Sequence, residues 1–209
     1  RSLREAIESV RVQTPTSIVV RSGSYTLSWP ATQMCGLVLQ IIGDGDVSIS
    51  CDSQGDMDNF MYAGGPGSKL YLDHLRLTNM ATASSQIAHC AAVVCQALLH
   101  ISDCILSSTG ASCCANLGGK IVLTRCKTLG PGSAACVQGA FLQAEDCVFS
   151  GSRPVCVEVR SGGQCRLLQC EIKDCQMQGV LLYASGAELE LLKCSIMRCG
   201  KRCEASAVS

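Results

Sequence analysis

Aromatic rings are scarce in this chain: 4% of its 209 residues, with Trp29 the single tryptophan. Sugar-binding grooves stack their ligands on such rings, so the shortage counts against a carbohydrate-active protein. Charge of one sign is not in excess either. Charged residues make up 16%, and Lys+Arg 17 balance Asp+Glu 17. Nucleic-acid and membrane-surface proteins show a basic excess or a basic face, so no nucleic acid and no membrane is expected as a partner. No apolar run approaches the roughly 18 residues of a membrane span. No N-x-S/T sequon occurs, although many secreted domains carry one on their surface. The chain begins at Arg1 and not at a methionine, and is expected to be a fragment of a longer one.

Cysteine, by contrast, is plentiful. Seventeen are present, and the count alone suggests a secreted disulfide framework. Their spacing argues otherwise. Cys104, Cys126, Cys147, Cys170 and Cys194 follow one another at intervals of 22, 21, 23 and 24 residues. One inward cysteine per repeat is the behaviour of a small buried hydrophobe. This structural cysteine ladder, with the missing sequon, points to an intracellular setting, cytoplasmic or cytoskeletal, because persistent disulfides belong to oxidising compartments.

The spacing belongs to an internal repeat. Gly162, Cys165, Leu167, Cys170, Ile172 and Cys175 recur 24 residues later as Gly186, Leu189, Leu191, Cys194, Ile196 and Cys199. Related triplets, apolar-x-apolar, begin at Leu70, Leu99, Ile121 and Leu142. A period of this length marks a solenoid, whose units stack because none can bury its own apolar face.

The whole of 1–209 reads as a single β-helix domain. Residues 1–16 form an N-terminal cap: Ser2 and Glu5 have capping-box spacing, and Leu3, Ile7 and Val10 share one helical face over residues 3–10. Residues 17–66 hold irregular first coils. Within them a strand at 17–20 closes in a turn at 21–25, and a strand from Leu37 ends in the turn Gly43-Asp44-Gly45-Asp46. A strand over 47–51 and a loop from Asp52 to Gly67 follow. Residues 67–199 are regular coils of 21–29 residues, and 200–209 are a tail.

The same pattern ends the leucine-rich repeat, whose consensus has Leu three residues before the triplet. Here that place holds Gly67, Gln96, Gly118, Gly139, Gly162 and Gly186. Such turn glycines mark tight bends into strands, because glycine alone takes positive φ without steric cost. Where a horseshoe returns through a helix, this chain has β-type runs at 155–159 and 179–183. Together these features predict an all-β fold: a right-handed parallel β-helix solenoid of about eight coils with a short N-terminal capping α-helix.

Valine-rich strands, an S-G-x turn and the run L-x-L-x-x-C-x-I over residues 67–199 resemble the PbH1, or CASH, repeats of the pectin-lyase-like superfold. Residues 1–50, a helix and then I-V-V, G-S-Y and L-Q-I-I-G-D-G, look like the N-terminal entry of that superfold. It contains lyases, hydrolases and esterases beside scaffolds, so function has to come from a site. In character the chain is closest to intracellular non-enzymatic members, the repeat regions of F-box proteins and of SHC SH2-domain-binding proteins. That resemblance implies an interaction module.

A glycosidase needs two carboxyls in close opposition. The middle residues of the triplets give an outward column Tyr71, His100, Val122, Gln143, Arg166 and Glu190, with one acid. The residues ahead of the inward cysteine (or Leu75) give His74, Asp103, Arg125, Asp146, Gln169 and Lys193. There Asp103 and Asp146 stand about 10 Å apart with Arg125 between them. This ionic ladder, Asp103, Arg125 and Asp146, is charge compensation along a stack, not acid/base machinery. The loop acids Asp52, Asp56 and Asp58 lack the spacing of a calcium loop.

Cys170, Cys175, Cys194 and Cys199 offer thiolates for zinc, but two of them belong to the packing ladder. Cys113 and Cys114 must point to opposite sides of a strand; with Cys114 inward, Cys113 is exposed. No G-x-S-x-G motif places a nucleophile beside His100. No catalytic, cofactor-binding or metal residue is expected, and no cofactor.

The expected function is therefore a non-enzymatic protein–protein interaction or scaffold module. Its partners would be other proteins, in a large complex that covers the C-terminal coil. Val122 and Leu182 are the candidate outward contact points. The alternative is a carbohydrate-active enzyme, pectate-lyase-like or a glycoside hydrolase.

Overall fold

Each repeat brings three short β-prone runs separated by residues that bend the chain, and the structure coils accordingly. The computed structural model describes residues 2–12, 14–27, 34–51, 61–79, 92–152 and 155–200. The coil from Ala92 shows the plan. Ala92–Cys95 lies on a third face, Leu98–Ser102 on the triplet face and Ile105–Ser108 on a second face. The next coil repeats them as Cys113–Asn116, Lys120–Thr124 and Lys127–Leu129. Every equivalent strand pairs in parallel with its neighbours, so the protein is an all-β parallel solenoid.

On the triplet face Lys69–Asp73, Leu98–Ser102, Lys120–Thr124, Phe141–Glu145, Gln164–Leu168 and Glu188–Leu192 stack with each residue opposite its repeat equivalent. Leu70, Leu99, Ile121, Leu142, Cys165 and Leu189 therefore form one straight inward row. These are six regular turns, against about eight coils expected in all, six in register and one or two irregular ones before them. The difference lies in the leading strands, Thr16–Leu27 and Val38–Cys51, which run straight through the turns expected at 21–25 and 43–46. Their bend is taken up by a register shift: Arg21 stands opposite Asp44, but Gly23 stands opposite Val47. The loop expected from Asp52 to Gly67 is also interrupted, by the strand Met61–Gly64.

One helix is present among the described residues: α1, Leu3–Glu8, with Leu3 and Ile7 buried against the first rung. Its capping box is complete, Glu5 N–H donating to Ser2 Oγ at 3.2 Å and Ser2 N–H to Glu5 Oε2 at 3.0 Å. Among the described residues no helix returns between rungs, as a horseshoe would require. The turn positions explain the repeat's glycines. Gly67, Gly118, Gly139, Gly162 and Gly186 have φ between 54° and 82°, and Gln96 adopts 54° at the same place.

The core is a column of apolar side chains between the faces. Volume is balanced within a turn: where Ala144 replaces a large residue in the triplet, Phe149 fills the second face, and both are fully buried. At the C-terminal end no described residue covers the last rung. Leu182, Leu191 and Ile196 occupy inward rows yet are 49%, 39% and 48% exposed.

Candidate functional site

The corner after each triplet strand is bent by one residue in the left-handed region. His74, Asp103, Arg125, Asp146, Gln169 and Lys193 all have φ between 51° and 54°. That conformation costs an L-residue roughly 1–2 kcal/mol. Hydrogen bonds that continue through the bend offset it. Asp103 N–H donates to Thr124 O at 3.0 Å, Arg125 N–H to Glu145 O at 2.9 Å, and Ile105 N–H back to Leu75 O at 2.9 Å. Side chains at this position stand outward as a polar ridge.

The next residue turns inward. Cys104, Cys126, Cys147 and Cys170 are buried there, and Cys194 is partly buried on the last rung. They do more than fill space. Cys126 Sγ–H reaches Ile101 O and Thr124 O, each at 3.3 Å, and Cys194 Sγ–H reaches Leu167 O at 3.3 Å. Sulfur also accepts: Leu75 N–H donates to Cys104 Sγ at 3.3 Å and Cys126 N–H to Cys147 Sγ at 3.4 Å. The thiol thus satisfies backbone groups where the corner interrupts the ladder. Burial pushes the Cys104 thiol up, and hydrogen bonds first to Cys126 and then to Cys170 push Cys147 up.

On this ridge two turns bring Asp73, His74 and Asp103 together, one ligand atom of each within 4.8 Å of the others. Asp73 ends its strand opposite Ser102, so Asp103 follows one rung on. Ser102 Oγ–H donates to Asp73 Oδ1 at 2.8 Å, and His74 Nδ1 lies 2.9 Å from the same oxygen. Arg125 holds Asp103 from the other side, Nε–H to Oδ1 at 2.7 Å. Gly43 admits the corner closely: a Cβ there would lie 2.1 Å from the His74 carbonyl oxygen. Asp46, His74, Arg76 and Asp103 line a shallow recess of about 190 Å³.

The chemistry of this cluster is limited by its own pairing. The Arg125 hydrogen bond, opposed by partial burial, holds the Asp103 carboxyl below its ordinary range. Hydrolysis by two carboxyls needs one of them kept protonated, and Asp103 is pushed the other way. As a cation site the cluster supplies two carboxylates and an imidazole, but the Arg125 guanidinium already neutralises one.

In the ladder of Asp103, Arg125 and Asp146 the two aspartates are not equivalent: Asp103 is hydrogen-bonded to Arg125, and Asp146 acts on Arg125 only electrostatically. Arg125 pairs with Asp103, while Asp146 is exposed and makes no ion pair among the described residues. A guanidinium fork engaged edge-on with one carboxylate is oriented toward that rung and not the next.

Among the described residues the Asp73 cluster is the one group that meets metal-binding distances; Cys170, Cys175, Cys194 and Cys199 do not form one. Of the two phases open to Cys113 and Cys114, the structure takes the one with Cys113 inward and fully buried with Ala115; Cys114 is outward but also buried, 7% exposed. Strand alternation was the right rule, but its phase had to come from the pairing. Leu182 is not an outward residue: it stands opposite the inward Val159, and its exposure reflects the open last rung. Asp52, Asp56, Asp58 and Trp29 lie outside the described residues.

A second surface lies on the outside of the triplet face. Tyr71, His100 and Val122 stand side by side in register, half-buried, with Leu98 and Phe141 in the adjoining row. The Tyr71 and His100 rings meet edge to face at 6.0 Å, and Lys120 Nζ lies 5.3 Å above Phe141. Exposed Lys69 borders this island, exposed Lys120 stands in its second row between Leu98 and Phe141, and Glu188 and Glu190 stand toward the C-terminal end.

No protein-family model matches the chain, and no curated protein does. Among the described residues, no helix is long and apolar enough to cross a membrane.

Column alignment from sequence found His74 and Asp103 but missed Asp73, because it followed the middle of each triplet and skipped the strand's last residue. The signal was there: Asp73 precedes the corner directly, and strand ends on neighbouring rungs are about 4.8 Å apart.

Proposed function

We propose that this chain is a non-enzymatic protein–protein interaction module, a scaffold within a larger cytoplasmic or cytoskeletal assembly. The observation that supports it is the triplet-face island of Tyr71, His100, Val122, Leu98 and Phe141, held flat by the in-register rungs. Interface centres favour aromatic side chains inside a polar rim; Lys69 and Arg166 provide such a rim, and Lys120 adds a charge between Leu98 and Phe141. The fitting partner is a protein segment with apolar side chains for the island and acids for Lys69 and Lys120. The open C-terminal turn, with Leu191 and Ile196 exposed, is a second surface that another protein of the assembly would cover. In this reading the repeats are of the PbH1 type in the pectin-lyase-like superfold, in the manner of the F-box and SHC SH2-domain-binding scaffolds.

The test is affinity capture from the native source in reducing buffer, with wild type beside Tyr71→Ser/Val122→Asp. The reading expects a partner retained by wild type and lost by the variant, with the variant's melting unchanged. Capture that ignores the island contradicts it.

The convergence of Asp73 and Asp103 supports a second reading, a carbohydrate-active enzyme working at the corner. It requires cleavage of an acidic polysaccharide that Asp73→Asn and Asp103→Asn each abolish. Activity that survives both substitutions, or no activity on a polysaccharide panel, contradicts it.

A further inference from the structure

We infer that Cys114 and Cys136 are a peroxide-oxidised dithiol that closes into a reversible disulfide across neighbouring turns of the third face. The two residues stand directly opposite each other in parallel strands, Cys113–Asn116 and Ala135–Gln138. Their flanking residues Cys113, Ala115, Ala135 and Val137 are fully buried in the core, so both thiols leave the wall on its outer side. There they form a small apolar cluster with Ala111, separate from the main core, and are 7% and 8% exposed. Neighbouring parallel strands lie about 4.8 Å apart, within the ~4.4–6.8 Å Cα separation that a disulfide spans.

This pair differs from the corner cysteines in its place: its sulfurs sit outside the wall. They also engage each other, the Cys136 thiol being hydrogen-bonded to Cys114. Cys136, the donor, is held protonated by that bond and by burial, which leaves Cys114 as the attacking sulfur. The Arg160 guanidinium acts electrostatically on both sulfurs and favours a thiolate there. It is anchored by Glu158, Nε–H to Oε1 at 2.9 Å, and Glu158 stands opposite Cys136 on the next rung. A small uncharged oxidant such as hydrogen peroxide suits so narrow an opening.

The Cys114 thiolate attacks one peroxide oxygen, the O–O bond breaks, and the departing hydroxide leaves as water after protonation. The product is a sulfenic acid on Cys114. Cys136 then loses its proton and attacks that sulfur, and the expelled hydroxide takes the proton as a second water. Two thiols and one peroxide give one disulfide and two waters; the sulfurs lose two electrons and the peroxide gains them. A reducing thiol such as glutathione reverses the bridge, consistent with a pair that cycles inside a reducing compartment.

The full chain is treated with stoichiometric hydrogen peroxide, its remaining thiols are alkylated, and it is digested with trypsin and an Asp-specific protease. These cleave out residues 103–120 and 128–145. The expected product is those two peptides joined through Cys114 and Cys136, lost in Cys114→Ser and in Cys136→Ser and reversed by glutathione. The wild-type map stands alone if either variant misfolds. Native chain in which both thiols are alkylated after peroxide, or in which the link runs through Cys104 or Cys113, overturns the proposal.

Discussion

Arg125 closes on Asp103 of the preceding turn, Nε to Oδ1 at 2.7 Å, and not on Asp146 of the following one. The pair makes a pH-dependent contribution whose sign is fixed. Asp103 has a depressed folded pKa, against about 3.9 in an unfolded chain. Its stabilisation is therefore present above that value and is lost as pH falls through the folded pKa. Arg125→Met is expected to lower the melting temperature slightly at neutral pH, less so in high salt, and the gap to wild type is expected to close in acid. Asp146→Asn should change little at any pH. Thermal melts across pH check both.

The turn glycines separate conformational cost from steric cost. Nothing lies within 4 Å of a Cβ built at Gly139, so Gly139→Ala meets only the positive-φ penalty, about 1–2 kcal/mol. A Cβ at Gly132 would lie 1.5 Å from the Gly110 carbonyl oxygen, and Gly132→Ala should lose several times more. Gln96→Gly is expected to be neutral or stabilising, since Gln96 already holds φ 54°. Denaturant unfolding of the three variants orders them.

Equivalent leucines should differ in cost by position along the column. Leu123 is fully buried whereas Leu191 is 39% exposed. Leu123→Ala should cost about 2–5 kcal/mol, as buried truncations do, and Leu191→Ala under about 1 kcal/mol. Hydrogen exchange should likewise find the amides of 188–192 opening before those of 120–124.

The thiols should divide into two kinetic classes. Burial pushes Cys165 up to about 12 and Cys113 well above its ordinary value, so neither forms thiolate near pH 8. Cys95, Cys194 and Cys199 are only partly buried. Pulsed alkylation should label those three first and reach Cys113 and Cys165 only on unfolding. Early labelling of Cys113 would place it outside the core.

Much of the fold is legible because one row of residues repeats. Leu70, Leu99, Ile121 and Leu142 can stack only if their strands are parallel and in register. The glycine row was readable for the same reason, and Gln96 joined it by position despite its side chain. What the sequence hid depends on contacts between turns. Arg125 has an aspartate on either side in its column, and spacing treats the two alike. Cys113 and Cys114 obey alternation in either phase, and only the partner strand decides which points in. The long strand Val38–Cys51 passes through Gly43-Asp44-Gly45-Asp46, a sequence that elsewhere turns, because the first rung pairs along its whole length. The thiol hydrogen bonds of the corner were invisible for a simpler reason: cysteine was counted for its volume alone.

Hydroxyl-radical footprinting of the chain bound to its captured partner tests the central claim most directly. Tyr71, His100 and Phe141 should label in the free chain and become protected in the complex, while Tyr183 near the open end reports separately on the second surface. Unchanged labelling of the three in a stable complex, with protection confined to Asp46, His74 and Arg76 at the recess, would contradict the account.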